Sequence, residues 1–175
     1  MPNAWSRLRH ALILLAVVAP VSATTVQAGD APPPPPPLRI DIPIELKSAK
    51  IVYNMDRAAY TGDLPLGLRF LRLQADSFKE TGVNAELIAV VHAAMGYILL
   101  NDATYNRVRS VATGNPYREL IAGLIKDGVQ FEATSVTMQT NGWGNDDLLP
   151  DIRVNGGGIP RIVQLVQEGF VQIQP

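Results

Sequence analysis

Two hydrophobic periods take turns along this chain, one of two residues and one near 3.6, and their order predicts strands alternating with helices. Ala49 to Asp56 (AKIVYNMD) is a short β-rich run that ends in polar residues. Helical spacing follows from about Leu64 to Glu80. Leu64, Leu68, Leu71, Ala75 and Phe78 form one apolar stripe, and Leu66, Phe70 and Leu73 form a second on nearly the opposite side. Only Arg69, Arg72, Asp76, Lys79 and Glu80 make a polar face, so the apolar arc is wider than one sheet requires. It calls for a cover, either a neighbouring subunit, which is the favoured reading, or another element of the same chain. Glu86 to Met95 (ELIAVVHAAM) is apolar on both faces, as a central parallel strand should be, and the strand ends on His92.

Further along, Asn115 to Lys126 reads as an amphipathic helix with Asn115 as N-cap, Pro116 in the first helical position and Gly128 as the stop. The stretch from Val129 to Pro150 begins as an alternating strand, with Val129, Phe131, Ala133 and Ser135 on one face and Gln130, Glu132 and Thr134 on the other. It then becomes a polar, glycine-punctuated loop. Asp151 to Asn155 is a short strand, Pro160 to Glu168 a helix, and Phe170 to Gln174 an alternating last strand suited to a sheet edge. The order β-α-β-α-β-loop-β-α-β predicts an α/β three-layer sandwich around a mostly parallel five-stranded sheet.

In such folds ligands gather where the carboxyl ends of strands meet their loops. The polar loop carries Thr137, Gln139, Thr140, Asn141, Trp143 and Asn145, more hydrogen-bonding groups than a core needs. His92, Thr134, Asn141 and Trp143 are therefore the candidate pocket. Thr134 or Ser135 with His92 as base is a conceivable hydrolase pair, although no nucleophile-elbow spacing supports it. Gly156-Gly157-Gly158 before a helix could hold an anion, but it matches neither nucleotide-binding glycine pattern and reads more simply as a tight turn. Asp146 and Asp147 are adjacent and point apart, which argues against an acid/base pair; Leu148-Leu149-Pro150 after them looks like a short helix. Two histidines, His10 and His92, cannot build a nitrogen-rich metal site, so no metal and no cofactor is expected.

The N-terminal pattern is different. Arg7, Arg9 and His10 precede the apolar run Ala11 to Val21, and both Val21-Ser22-Ala23 and Val26-Gln27-Ala28 satisfy the small-residue rule for cleavage. Residues 1–28 are thus read as a secretory signal, with the remainder exported to the periplasm and left without a stable membrane anchor. Residues 29–48 are a linker and arm. Pro32 to Pro37 form a stiff spacer, and Ile40, Ile42, Ile44 and Leu46 alternate with polar residues, although Pro43 confines that run to an edge or an extended arm. The domain proper is 49–175. Beyond the signal the chain carries 13 basic and 16 acidic residues, net −3, with no basic run, so nucleic acid is not an expected partner. The absence of cysteine rules out disulfides and any thiol chemistry by the chain itself.

The segments KIVYNMD, AELIAVVHAAMGYILL, YRELIAGLIKDGVQFEATSVTM, NGWGNDDLLPDIRVNGG and PRIVQLVQEGFVQIQP together resemble the DsrE/DsrF-like family from about Lys50 to Pro175. The resemblance implies a flavodoxin-like α/β fold and assembly into homo- or hetero-oligomers, including trimers and hexamers. Some members of that family pass sulfur as a cysteine persulfide. In this chain Thr134 falls at the position of the sulfur-carrying cysteine, with Ala133 and Ser135 on either side, and none of the three can carry a persulfide. The resemblance therefore implies a cysteine-free, exported member, acting as an oligomeric binding or accessory protein without catalysis. One alternative is an auxiliary subunit of a sulfur-relay complex whose thiol comes from a related partner; the other is a hydrolase using Thr134 or Ser135 with His92.

Overall fold

The computed structural model describes residues 36–175; the signal expected over 1–28 and the start of the proline tract lie outside the described residues. The chain divides into two compact units, Met1–Ile42 and Pro43–Pro175. In the first, 36–42 have no regular secondary structure. The second holds every element among the described residues. The alternating run Ile40 to Leu46 forms no strand, and its apolar side chains are exposed. Pro43 has no N–H to give to a ladder.

Strand β1 (Ser48–Met55) is followed by a two-residue hairpin, β2 (Tyr60–Thr61) with β3 (Leu64–Pro65), then helix α1 (Leu66–Thr81) and strand β4 (Asn84–Val91). A 3-10 helix, Ala93–Leu99, leads to α2 (Asp102–Arg109) and α3 (Arg118–Lys126). Strand β5 (Gln130–Thr134) runs directly into α4 (Ser135–Asn141), and β6 (Arg153–Asn155), α5 (Gly158–Gln167) and β7 (Val171–Ile173) close the chain. The large sheet has the order β6-β5-β4-β1-β7, and all its pairings are parallel. β4 is central and β7 lies at an edge, as their patterns predict. Helices cover both faces, giving a flavodoxin-like α/β sandwich.

Several elements depart from the sequence reading. The expected strand Glu86 to Met95 stops at Val91, because Ala93 takes φ 50° and turns the chain into the 3-10 helix. The polar loop after Thr134 is helical through Asn141: the Thr134 side chain accepts from the Thr137 N–H and caps it. Helix α2 has no counterpart in the sequence reading; with few apolar residues, its turn is held by Asn101, whose side chain accepts from the Thr104 N–H at 2.9 Å. Asn115 does not cap α3 directly, since the helix starts at Arg118. Its amide donates instead to the carbonyls of Ile98 and Leu100, and its Oδ1 accepts from the Tyr117 N–H at 2.9 Å. The helical turn near Asp146 comes before Leu148 rather than after it, at Asn145–Asp147, and Leu148 bridges to Leu100.

The two faces bury unequal cores. On one side Leu68, Leu71, Ala75 and Phe78 of α1 and Ile121 and Leu124 of α3 pack on Tyr53, Ala89, Val91 and Phe131. On the other, α5 alone supplies Ile162 and Leu165 over Val52, Ile88 and Val90. The second stripe of α1 stays open: Phe70 is 41% and Leu73 57% exposed, so nothing in Pro43–Pro175 covers it.

Helix α5 crosses its face pinned by charge. Glu132, buried on β5, accepts from Arg161 through both oxygens at 3.0–3.1 Å, from Asn155 at 2.9 Å and from Gln130 at 2.6 Å. Burial pushes the Glu132 carboxyl up, but Arg161 and the neutral donors outweigh it and hold the pKa below the ordinary value. A depressed carboxylate contributes stability that is complete above the unfolded value near 4.5 and is lost as pH falls through the folded pKa. Glu132→Ala strands Arg161 and is expected to cost about 3 kcal/mol in urea unfolding at pH 7. The difference between wild type and variant should shrink as the pH is lowered through the depressed range.

Candidate functional site

The register of the sheet builds a polar row across the carboxyl ends of its strands. Tyr53 pairs with Ile173, Met55 with Val91, and Val91 with Ala133. Side chains alternate faces along a strand, so Asn54, His92, Thr134 and Gln174 all turn toward the face that α5 covers. His92 Nε2 lies 2.7 Å from Asn54 Oδ1, Asn54 Nδ2 donates to Gln174 Oε1 at 2.7 Å, and Gln174 Nε2 donates to Asp56 Oδ1 at 2.6 Å. The row thus joins β4, β1 and β7 and ends on a carboxylate. Burial lowers the His92 pKa against the opposing pull of Asp56, so the imidazole is neutral at pH 7.

Thr134 stands beside His92 but is not bonded to it. Its hydroxyl donates to Thr137 Oγ1 at 3.0 Å, and Thr137 Oγ1 also accepts from the Ala93 N–H at 2.9 Å. That second bond satisfies the backbone at the left-handed Ala93 and fixes the chain just after His92. The two hydroxyls are thereby committed to capping α4 and holding the turn. Ser135 does not line the cleft. Neither hydroxyl is hydrogen-bonded to His92 in this arrangement.

The N-terminus of α5 closes the other wall. A Cβ at Gly158 would lie 3.1 Å from both His92 Cγ and Thr134 Cγ2, so this glycine permits the close approach of helix to strand ends. Between these walls lies an open cleft of about 490 Å³, lined by His92, Ala93, Thr134, Val136, Thr137, Thr140, Asn141 and the segment Gly156 to Pro160. Its size suits a small organic molecule. A cleft of about 560 Å³ beside Gln130, Asp151 and Arg153 sits at the opposite, amino end of β5. There Arg153 already donates to Gln130 at 2.7 Å, and parallel sheets do not place ligands at that end.

Of the four candidate residues, His92, Thr134 and Asn141 meet at the cleft and Trp143 does not. Trp143 is half-buried against the main core and reaches toward Gly96, where a Cβ would sit 3.2 Å from Cζ3. Asn54, Asp56 and Gln174 were not singled out as site residues from the sequence, which named Thr137 only within the polar loop and Gly158 only within the glycine turn. The polar end of KIVYNMD pointed toward Asn54 and Asp56, but Gln174 is 120 residues away from Asn54 and only the sheet brings them together. Asp147, by contrast, is structural: it accepts from Thr104, from the Gly144 N–H at 2.8 Å and from Arg107. Among the described residues no three His, Asp or Glu side chains converge as a metal site, and no helix is long and apolar enough to cross a membrane.

Two solved structures resemble this chain to different degrees. A protein of unknown function, MTH1491, from Methanobacterium thermoautotrophicum is 22% identical, with a TM-score of 0.57 over 73% of this chain and 99% of that one. The ychN protein from E. coli is 17% identical, with a TM-score of 0.46 over the same shares of the two chains. The likeness to MTH1491 is one of fold. No protein-family model matches the chain, and no curated protein sequence matches it.

Thr137 is the residue on which the turn after His92 rests. Thr137→Val leaves the Ala93 N–H and the Thr134 hydroxyl without their acceptor and is expected to cost about 1–3 kcal/mol in denaturant unfolding. Thr137→Ser keeps the oxygen and should recover most of that loss.

Proposed function

We propose that this chain is an exported, oligomeric binding protein of the DsrE/DsrF-like kind, non-catalytic, whose cleft takes a small and largely apolar molecule. The cleft beside His92 carries this reading. It lies at the carboxyl ends of β4 and β5, it combines apolar walls (Val136, Ile159 and Pro160) with a neutral imidazole, and the Thr134 hydroxyl is taken up by Thr137 rather than by His92. The lack of any cysteine argues against sulfur transfer by the chain itself. Export rests on the basic, apolar and small-residue pattern of residues 1–28.

Assembly, as a homo-oligomer such as a trimer or hexamer or with a related subunit, is supported by the apolar surface. Phe70 and Leu73 on α1, with Tyr53 and Ile173, line an open groove. On the opposite side Ile159, Val163 and Val166 of α5 are 46–60% exposed at helical spacing. Single exposed apolar residues are ordinary, but contiguous sets mark interaction surfaces.

Native mass spectrometry of the protein purified from the periplasm tests both halves. A homo-oligomer carrying a reproducible small extra mass is the expected result. A cysteine-bearing partner would shift the assignment to a sulfur-relay subunit, and a bare monomer would contradict the assembly. With the retained molecule in hand, His92→Ala is expected to weaken its binding up to about tenfold, the value of one hydrogen bond, as read by titration calorimetry.

A further inference from the structure

The geometry points to Asp56 and Gln174 as positioning residues that decide which nitrogen of His92 carries the proton, and so oblige the ligand to meet His92 with a hydrogen-bond donor. This deepens the proposed binding role and rests on the cleft being a ligand site.

The polarity of the row follows from its far end. A carboxylate only accepts hydrogen bonds, so the group that Gln174 presents to Asp56 at 2.6 Å is its amide nitrogen. Gln174 Oε1 is then the atom facing Asn54, and it needs a donor, which only Asn54 Nδ2 can be. Asn54 Oδ1 is consequently the atom left facing His92 Nε2 at 2.7 Å. An amide oxygen accepts only, so Nε2 bears the proton. In a neutral imidazole the other nitrogen, Nδ1, carries the lone pair. Reversing the Gln174 amide would set its oxygen against the Asp56 carboxylate and its nitrogen against Asn54 Nδ2, and reversing the Asn54 amide would set its oxygen against Gln174 Oε1.

Nδ1 makes no hydrogen bond among the described residues. No buried side-chain nitrogen or oxygen there lacks a partner, so Nδ1 is reached by solvent. The ring edge at Cγ and Cδ2 packs against Gly158. Asn141 repeats the same sense: its Nδ2 donates to the Thr137 carbonyl at 2.8 Å, which leaves its Oδ1 as the outward group. His92 and Asn141 thus both present acceptors. A hydroxyl or an N–H satisfies them; a carboxylate or carbonyl oxygen does not. Burial of the ring, which keeps it neutral, preserves this sense at pH 7.

The tautomer is read without any ligand, from the ring nitrogen shifts of the full chain labelled with ¹⁵N-histidine, with His92→Gln assigning the resonances. Wild type is expected to show a protonated-type Nε2 and an unprotonated-type Nδ1. Asp56→Asn, whose amide can turn either way, and Gln174→Ala, which cuts the row at an exposed side chain, should draw the two shifts toward each other. A purely structural role for Asp56 and Gln174 would leave the shifts unmoved. A protonated Nδ1 in wild type, or variants indistinguishable from wild type, would overturn the assignment. Phenol and benzoate then serve as probes of matched size. Phenol is expected to move the His92 resonances and benzoate to leave them in place; the reverse would overturn the donor requirement. If neither probe acts while the tautomer is as assigned, the positioning role stands and the ligand-site reading of the cleft loses its support.

Discussion

The Glu132–Arg161 contact is the constraint on which the rest of this structure depends. A buried carboxylate is tolerated only when its lone pairs are taken up, and here Arg161, Asn155 and Gln130 share that task. Those donors come from α5, β6 and β5. Satisfying one charge therefore fixes the edge strand and the crossing helix together. Because α5 is the one helix among the described residues that fills the smaller core, its placement also decides whether Ile162 and Leu165 reach Val52, Ile88 and Val90.

That placement sets the site. With Arg161 held on β5, the first residue of α5, Gly158, comes against the ring of His92 and the methyl of Thr134. The cleft wall is thus a consequence of a buried ion pair one helical turn away. On the other side, Thr137 fastens the turn at Ala93 to the start of α4. His92 is held from three directions: by Gly158 packing, by the Asn54 bond, and by the backbone bond from its N–H to the Met55 carbonyl at 3.0 Å. A side chain so restrained has little rotamer entropy left to lose on binding.

The outside of the domain carries the opposite tension. Helix α1 buries one stripe completely and leaves Phe70 and Leu73 exposed; α5 buries Ile162 and Leu165 and leaves Val163 and Val166 outward. Each helix is apolar on more of its circumference than one core can use. Charge offsets part of this. Arg72 bonds Asp76 on its own helix and Asp127 at the end of α3, so α1 and α3 are fastened along their exposed seam by exposed to half-buried ion pairs.

The parallel sheet, its central strand β4 and its edge strand β7 were all legible in the sequence, because burial on two faces, one face or none leaves a local period that needs no knowledge of the fold. The second stripe of α1 was legible for the same reason, and so were His92 and Thr134 as residues at strand ends. Helix α4 was not, since Ser, Val, Thr and Asn have weak helical preference, and its capping depends on one hydroxyl at Thr134. Trp143 looked like a pocket residue because aromatic and polar neighbours are adjacent in sequence; the left-handed turn at Gly142 lays it half-buried against the core instead. The row from His92 to Asp56 lay wholly beyond local pattern. Its members come from three strands, and the hydrogen bond that sets its direction spans 118 residues. The sequence by itself determined which faces had to be buried, since hydrophobic periodicity is a property of neighbours along the chain. Only the tertiary structure decided which polar groups meet, because a hydrogen bond requires atoms within about 3 Å, and strand register, not sequence distance, supplies that closeness.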